Sequence, residues 1–422
     1  MKLPIVLILS LFSISNAMAQ TVYLRAAKMV DVISGEVHES PAIIIEDQRI
    51  VEVGSSTSLE VPADARVIDL EGMTIMPGLM DMHTHLTSKA TEHGYKGLAV
   101  STPREAITGV KNARTTLFAG VTTVRNVGAG GFTDVALRNA VNDGDVIGPR
   151  IFASGPALGI TGGHCDNNLL PNKYHVVGEG IADGPWAVRQ KVRENIKYGA
   201  NVIKFCATGG VLSKGTKVGV QQYTQEEMDA IVDEAHRRGV IVAAHAHGTS
   251  GIKAAIKAGV DSIEHASFMD KEAIKLAKKH GTYLSMDIYD TEYILSEGAK
   301  AGMLPESIEK ERMTGKRQRQ SFTASWKAGV KMVLGTDSAV YPHGDNAKQL
   351  SRMVRFGMTS MEALQAATIE GAKLLKQTDN MGSLRRGRYA DIIAVKGDPI
   401  ANIKTLENVD FVMKGGVVYK EP

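Results

Sequence analysis

Between residues 78 and 336 the chain repeats one hydropathic theme: an apolar run of strand length, a polar turn, then a stretch with apolar residues at helical spacing. The runs occupy 78–86, 121–127, 150–154, 201–207, 240–246, 262–266, 282–288 and 331–336. Intervening segments such as 103–118, 224–238, 251–257 and 271–279 carry helix-compatible spacing and charge. Near-continuous apolar strands joined by crossover helices mark a parallel sheet covered on both faces. Eight of them predict an α/β fold, a (β/α)8 TIM barrel, whose polar chemistry should collect at the C-terminal ends of the strands.

The flanks carry a different pattern. Short β-like runs at 22–24, 42–45, 50–53 and 66–69 are matched only at the far end, at 391–395, 409–413 and 417–419, where Gly415-Gly416 reads as a hairpin turn. Neither set makes a stable unit alone, so the two ends are read as one small β-sandwich into which the barrel is inserted. The expected division is 20–77 and 381–422 for the sandwich and 78–380 for the barrel. Ahead of them, Lys2, the apolar run 3–14 and the small residues of Ala17-Met18-Ala19 form a secretory signal peptide over 1–19. The mature chain is therefore expected to start at Gln20 and to be periplasmic or secreted. That run is too short to cross a bilayer, and no later stretch approaches the roughly 18 consecutive apolar residues of a membrane span.

Composition narrows the classes further. A hydrophobic fraction of 43%, a charged fraction of 23% and a net charge of +3 describe a soluble globular protein with no basic patch for nucleic acid. Cys165 and Cys206 are the only cysteines, which leaves room for one bridge but not for a disulfide framework.

The strand ends hold the candidate chemistry. His83 and His85, two residues apart on a strand, share a face and make a two-point claw for a metal. Lys204 lies within an apolar strand, His245-Ala246-His247 ends another, and Glu264-His265 and Asp337-Ser338 end two more. Singly, each has an ordinary explanation as a core histidine, a snorkelling lysine or a helix cap. Jointly they do not, because they fall at the same end of different strands, where a lysine or aspartate is costly unless paired or metal-bound.

In order, His83-Thr84-His85, Lys204, His245, His265 and Asp337 resemble the metal-ligand pattern of the amidohydrolase superfamily. The resemblance spans nearly the whole mature chain and includes Gly387-Arg388-Tyr389-Ala390-Asp391, similar to the superfamily's Gly-x-x-Ala-Asp stretch. It is nearest to the metal-dependent dipeptidases and carboxypeptidases of the prolidase and arginine/lysine carboxypeptidase type, a group that includes ochratoxin-hydrolysing amidases. The motifs carrying that match are Ile160-Thr161-Gly162-Gly163-His164, Ala243-Ala244-His245-Ala246-His247-Gly248, Ile263-Glu264-His265-Ala266-Ser267 and Tyr341-Pro342-His343-Gly344-Asp345-Asn346.

The resemblance implies two divalent ions, zinc by default: His83, His85 and Asp337 on one, His245 and His265 on the other, and Lys204, carbamylated by CO2, bridging them. A buried lysine of depressed pKa is neutral enough for that chemistry. Asp337 would then move the proton. Spacing alone leaves His245 and His247 open as ligands; the resemblance selects His245 and leaves His247 to the substrate. It also gives His164 and Tyr223 as donors acting on the substrate. Ser88 is a further candidate for the pocket wall, and Cys206 is expected to pack beside the site. His38, His93, His175, His236, His280 and His343 are expected on the surface or in loops. A homo-oligomer, up to an octamer, is implied as well.

The leading functional expectation is hydrolysis of an amide next to a free carboxylate, in a small molecule or short peptide. Asp287, Asp290 and Glu292 after the seventh strand read equally as solvated loop acids or as groups facing a cation, and the resemblance to arginine/lysine carboxypeptidases tips the expectation to a basic C-terminal residue. Alternatives on the same site are an Xaa-Pro dipeptidase or an ochratoxin-type aromatic amidase. A mononuclear deaminase or imidazolone-type ring hydrolase would not need Lys204, and an exported binding protein would not need Asp337.

Overall fold

The computed structural model describes residues 21–422. The expected signal peptide lies outside the described residues. The N-terminal flank supplies β1 (Thr21–Asp31), β2 (Glu36–Glu39), β3 (Pro41–Glu46), β4 (Arg49–Ser55) and β5 (Arg66–Pro77). Eight short parallel strands follow: β6 (Leu79–Thr84), β7 (Val121–Asn126), β8 (Arg150–Ala153), β9 (Val202–Cys206), β10 (Ile241–Ala246), β11 (Ser262–His265), β12 (Tyr283–Ser285) and β13 (Met332–Val333). Then β14 (Ile392–Lys396), β15 (Phe411–Lys414) and β16 (Val417–Lys420) return to the first flank.

The barrel is built as the near-continuous apolar runs require. Every residue of β6, β7, β9, β10 and β11 is buried, as in a parallel sheet covered on both faces. One sheet holds β6 to β8 and another β9 to β13, each in sequence order. Main-chain hydrogen bonds link the two on both sides. Leu158 N–H donates to Lys204 O at 2.8 Å and Cys206 N–H to Leu158 O at 2.9 Å; across the other seam Met82 N–H donates to Leu334 O at 2.8 Å and His85 N–H to Ser338 O at 3.0 Å. Apart from β10, which ends with its run at Ala246, the strands end one to three residues earlier than the apolar runs do. At two of them the chain turns out through left-handed backbone, at His265 (φ 68°), Ala266 (φ 46°) and Asp337 (φ 50°). Such conformations in non-glycine residues are held by their surroundings and concentrate at functional sites.

The sandwich forms one hydrogen-bonded network in the order β16-β15-β14-β5-β1-β3-β4, with β2 on β1. Its core joins both chain ends: Leu24, Ile43, Ile45 and Ile75 pack with Ile392, Ala394, Phe411 and Met413. Gly415 and Gly416 (φ 55° and 76°) make the β15–β16 hairpin, a geometry only glycine adopts cheaply at both positions. The Gly387–Asp391 stretch docks sandwich to barrel. Tyr389 lies between the guanidinium groups of Arg49 and Arg150, 3.7 and 3.8 Å from its ring centre, and Arg150 pairs with Asp391 at 2.9 Å.

Among the helices, α1 (Thr102–Phe118), α2 (Thr133–Asn142), α3 (Pro185–Lys197), α4 (Gln225–His236), α5 (Thr249–Ala258) and α6 (Lys271–His280) are the crossovers. A capping box, Thr224 with Glu227, starts α4. Between β12 and β13 stand two more, α7 (Asp290–Ala301) and α8 (Pro305–Lys327). Hydrophobic periodicity does not show α8, because its buried stripe is mostly polar: Ser307, Glu311, Thr314, Gln318, Ser321 and Ser325 at helical spacing. Several of these face the mouth of the barrel.

Candidate active site

A cavity of about 510 Å³ opens at the C-terminal ends of the strands, and its wall contains His83, His85, Lys204, His245, His265 and Asp337. His164, His247 and Ser88 line it too. The imidazoles crowd together: ring centres lie 5.4 Å apart for His83 and His85, 5.1 Å for His83 and His265, and 4.5 Å for His245 and His265. Three sets bring donor atoms within 4.8 Å of one another, namely His83, His85 and Asp337; His245, His247 and His265; and His265, Asp287 and Asp337.

Four of the rings, those of His83, His85, His247 and His265, are aimed by a partner behind them. His83 Nδ1 donates to Glu264 Oε2 at 2.9 Å, His85 Nδ1 to Gly128 O at 3.1 Å, and His265 Nδ1 to Asp287 Oδ1 at 2.9 Å. His247 Nδ1 is hydrogen-bonded with Ser267 Oγ at 2.7 Å. Glu264 is in turn held by Arg125, whose Nη2 donates to Oε1 at 2.7 Å, and Gln318 from α8 donates to Asp287 at 2.9 Å. Carboxylates and carbonyls behind imidazoles fix the tautomer and raise the basicity of the far nitrogen, which is the usual surrounding of metal-binding histidine.

The donor set fits divalent cations. With Nδ1–H committed, Nε2 of His83 and of His85 carries a lone pair, and both sit against the same oxygen of Asp337, at 3.2 and 3.1 Å. Lone pairs crowded in this way are relieved by a proton or by a metal cation. Burial acts to lower His83, but Asp337 and Glu264 overcome it and raise the ring to about 9, which expresses the same demand for positive charge. Asp337 itself is held well below the usual carboxylate range against its burial, chiefly by His83. His245 Nε2 is buried without a hydrogen-bond partner.

Lys204 is 4% exposed, and among the described residues it has neither a hydrogen-bond partner nor an ion pair. Burial lowers its pKa, with Glu264 and Asp337 opposing. His164 lies ring to ring on His245, 4.1 Å between centres, with Nδ1 hydrogen-bonded to Ser213 Oγ at 2.7 Å. Burial, reinforced by His265 and Lys204, brings it down to about 3, so it is neutral.

Several expectations change here. Tyr223 does not line the cavity: it is wholly buried, packs edge-on against Phe205, and donates its hydroxyl to Ala182 O at 3.1 Å. The three acids after the seventh strand part company. Asp287 serves His265, and Glu292 is drawn into an arginine cluster with Arg352, Arg319 and Arg355. Asp290 is buried at the cavity wall with Oδ1 unpartnered, and its carboxyl, held well above its ordinary value by burial, is hydrogen-bonded to Asp287. Beside it stands Glu311 of α8, accepting from Thr291 Oγ1 at 2.6 Å, which no strand-end pattern could have revealed. Arg125 and Gln318 were invisible for the same reason. His93 and His343 lie in loops, as expected, and are half-buried: His93 lines an adjoining pocket beside His85, and His343 Nε2 donates to Ser88 O at 3.3 Å. Cys206 is bonded to Cys165, with 6.0 Å between their Cα atoms.

The comparisons with known proteins agree with this geometry. Residues 74–419 match the model of the amidohydrolase family. An ochratoxinase of Aspergillus niger is 36% identical over 413 residues, covering 92% of this chain and 84% of that protein. A crystal structure of a Xaa-Pro dipeptidase with methionine bound in its active site superposes with a TM-score of 0.89 at 40% identity, covering 95% of this chain and all of the other. A prolidase structure complexed with N-methylphosphonate-L-proline gives 0.88 at 32% identity, covering 96% of this chain and all of the other. The chain is a hydrolase, and it belongs to the amidohydrolase family.

Proposed function

We propose that this protein is a binuclear metal-dependent hydrolase of amide bonds adjoining a free C-terminal carboxylate, acting on dipeptides and N-acyl amino acids, with arginine or lysine favoured at the C-terminus. The observation that carries the reading is Lys204, a buried amine without a polar partner among the described residues, in the same cavity wall as the side-chain groups that could hold metal. In the proposed arrangement His83, His85 and Asp337 hold one ion and His245 and His265 the other. Lys204, carbamylated by CO2, contacts both. Bound divalent ions, zinc by default, would polarise the scissile carbonyl and supply a water that ionises near neutral pH. Asp337 accepts the proton of the attacking water and delivers it to the leaving amine nitrogen. His164, neutral and with Nε2 free of the Ser213 bond, donates to the substrate from the opposite wall, and His247 contacts the substrate beside it.

The preference for a basic residue is supported by Asp290 and Glu311. Burial pushes Glu311 up to about 7, and Asp290 lies well above its ordinary value by burial and by repulsion from Asp287. A pair of buried acids at the wall is a place where an incoming cation restores both charges, and Ile294 and Val340 of the same wall suit its aliphatic stem. Sequence likeness to an ochratoxinase and to a Xaa-Pro dipeptidase supports a second reading, in which a C-terminal proline or aromatic residue is removed at the same site. A dipeptide and N-acyl amino acid library decides between them. N-acyl-arginine and N-acyl-lysine should lead in kcat/KM and C-terminal amidation should abolish cleavage; a profile led by proline or phenylalanine would favour the second reading.

We place the mature chain, starting at Gln20, in the periplasm or outside the cell, and the Cys165–Cys206 bridge supports such an oxidising compartment. N-terminal sequencing of the native protein tests the cleavage point. Homo-oligomerisation belongs to the same proposal, and light scattering tests it.

A further inference from the structure

The segment between β8, which ends at Ala153, and α3, which begins at Pro185, is long and irregular, with one short 3-10 turn at Asn172–Tyr174. Loops of that length within a compact domain are usually functional, and this one carries His164. A bridge from Leu158 to Phe205 fastens it to the barrel, one from Gly159 to Ile181 closes it on itself, and beyond these one covalent bond joins Cys165 to Cys206. Cys206 ends the strand that carries Lys204, and both half-cystines line the active cavity. Cys165 immediately follows His164, so the tether acts next to the imidazole.

The remaining fixings of His164 are non-covalent and close. Its backbone N–H donates to Gln222 Oε1 at 3.0 Å, and its Nδ1 meets Ser213 Oγ at 2.7 Å. Its ring lies so near Gly210 that a Cβ there would fall 2.3 Å from Cε1. A ring seated on a glycine and stacked on His245 has one productive place, and a shift of the loop by about 1 Å would remove it from the substrate.

We propose that the Cys165–Cys206 disulfide is a positioning element of the reaction: it holds the loop after the third barrel strand against the fourth and thereby sets His164 over the cavity. The inference rests on the reading of His164 as a group that acts on the substrate. The test replaces the bridge by C165S/C206S, with C165A/C206A as the second variant should the serine pair not fold, thermal unfolding and metal analysis confirming fold and ion content. Two readouts decide it. Hydrogen exchange should rise across 160–180 in the bridge-free protein while 241–265 keeps its protection. In kinetics, bridge removal should lower kcat/KM by roughly 10- to 100-fold, the scale of a 1 Å misplacement. H164A should then cost about tenfold less in the bridge-free background than in the wild type, because the two changes act on one group. Additive effects, unchanged exchange, or two alkylatable thiols in the native protein would overturn the tether. A wild type inactive on every amide would instead refute the functional reading, and the exchange result would still decide the tether.

Discussion

An amine buried among imidazoles and carboxylates, without a polar partner, is stable only if it sheds its proton or is converted to something else. Lys204 is in that position, and burial has already weakened its hold on the proton. Lys204→Ala should therefore abolish nearly all turnover and reduce bound metal, and short-chain carboxylic acids should restore part of both by standing in for the carbamate. Full activity of the variant would remove the bridge from the account. If Asp337, which contacts both His83 and His85, carries the proton as proposed, Asp337→Asn should lower kcat by roughly 10²–10⁴-fold, the usual scale of general acid–base catalysis. Unchanged kcat would exclude it from the chemistry. That His83, His85, Lys204, His245, His265 and Asp337 meet in one cavity was legible in the sequence because strand period and strand ends place them. Arg125, Gln318 and Glu311 were not, since they reach the site from mid-strand or from a helix, and Tyr223 was misplaced because a donor can turn away to a carbonyl such as that of Ala182.

At the scale of elements, α8 shows what a hydropathic reading misses. A helix that buries serine, threonine, glutamine and glutamate has no apolar stripe, yet it forms part of the cavity wall. If Glu311 receives a basic side chain, Glu311→Gln should cut kcat/KM for C-terminal arginine and lysine by roughly 10- to 100-fold, matching a hydrogen bond to a charged group worth about 1.5–3 kcal/mol. Values for leucine or phenylalanine should barely move; equal losses on all substrates would contradict the assignment. The junction of sandwich and barrel offers a second test. Lys414 donates to Gly148 O at 2.6 Å, and burial, aided by Arg150, brings it down to about 8. Its folded pKa lies below the unfolded value of about 10.4. The unfolded chain therefore binds more protons between those values, and the lysine's contribution to stability grows as pH rises through that window. Lys414→Met should remove this part of the pH dependence, seen as a flatter difference in Tm between about pH 8 and 10. A wild-type and variant Tm that ran parallel would show Lys414 to be fully solvated.

For the whole molecule, a sandwich contributed by both chain ends closes around an insertion, which we take as residues 78–380. The barrel and the split sandwich were readable because alternating runs and turn glycines are local signals, whereas the disulfide was not, since pairing depends on a 6.0 Å approach across 41 residues of chain. Around the strand ends, the wall of the barrel mouth is completed by loops and by α8. Among the described residues no helix is long and apolar enough to cross a membrane. The central claim is that the mouth holds two ions bridged through Lys204, and a metal titration tests it directly. Protein stripped by chelator and refilled in bicarbonate buffer should regain amide-hydrolysing activity with a break at about two divalent ions per chain. A break at one ion with full activity, indifferent to bicarbonate, would contradict the account.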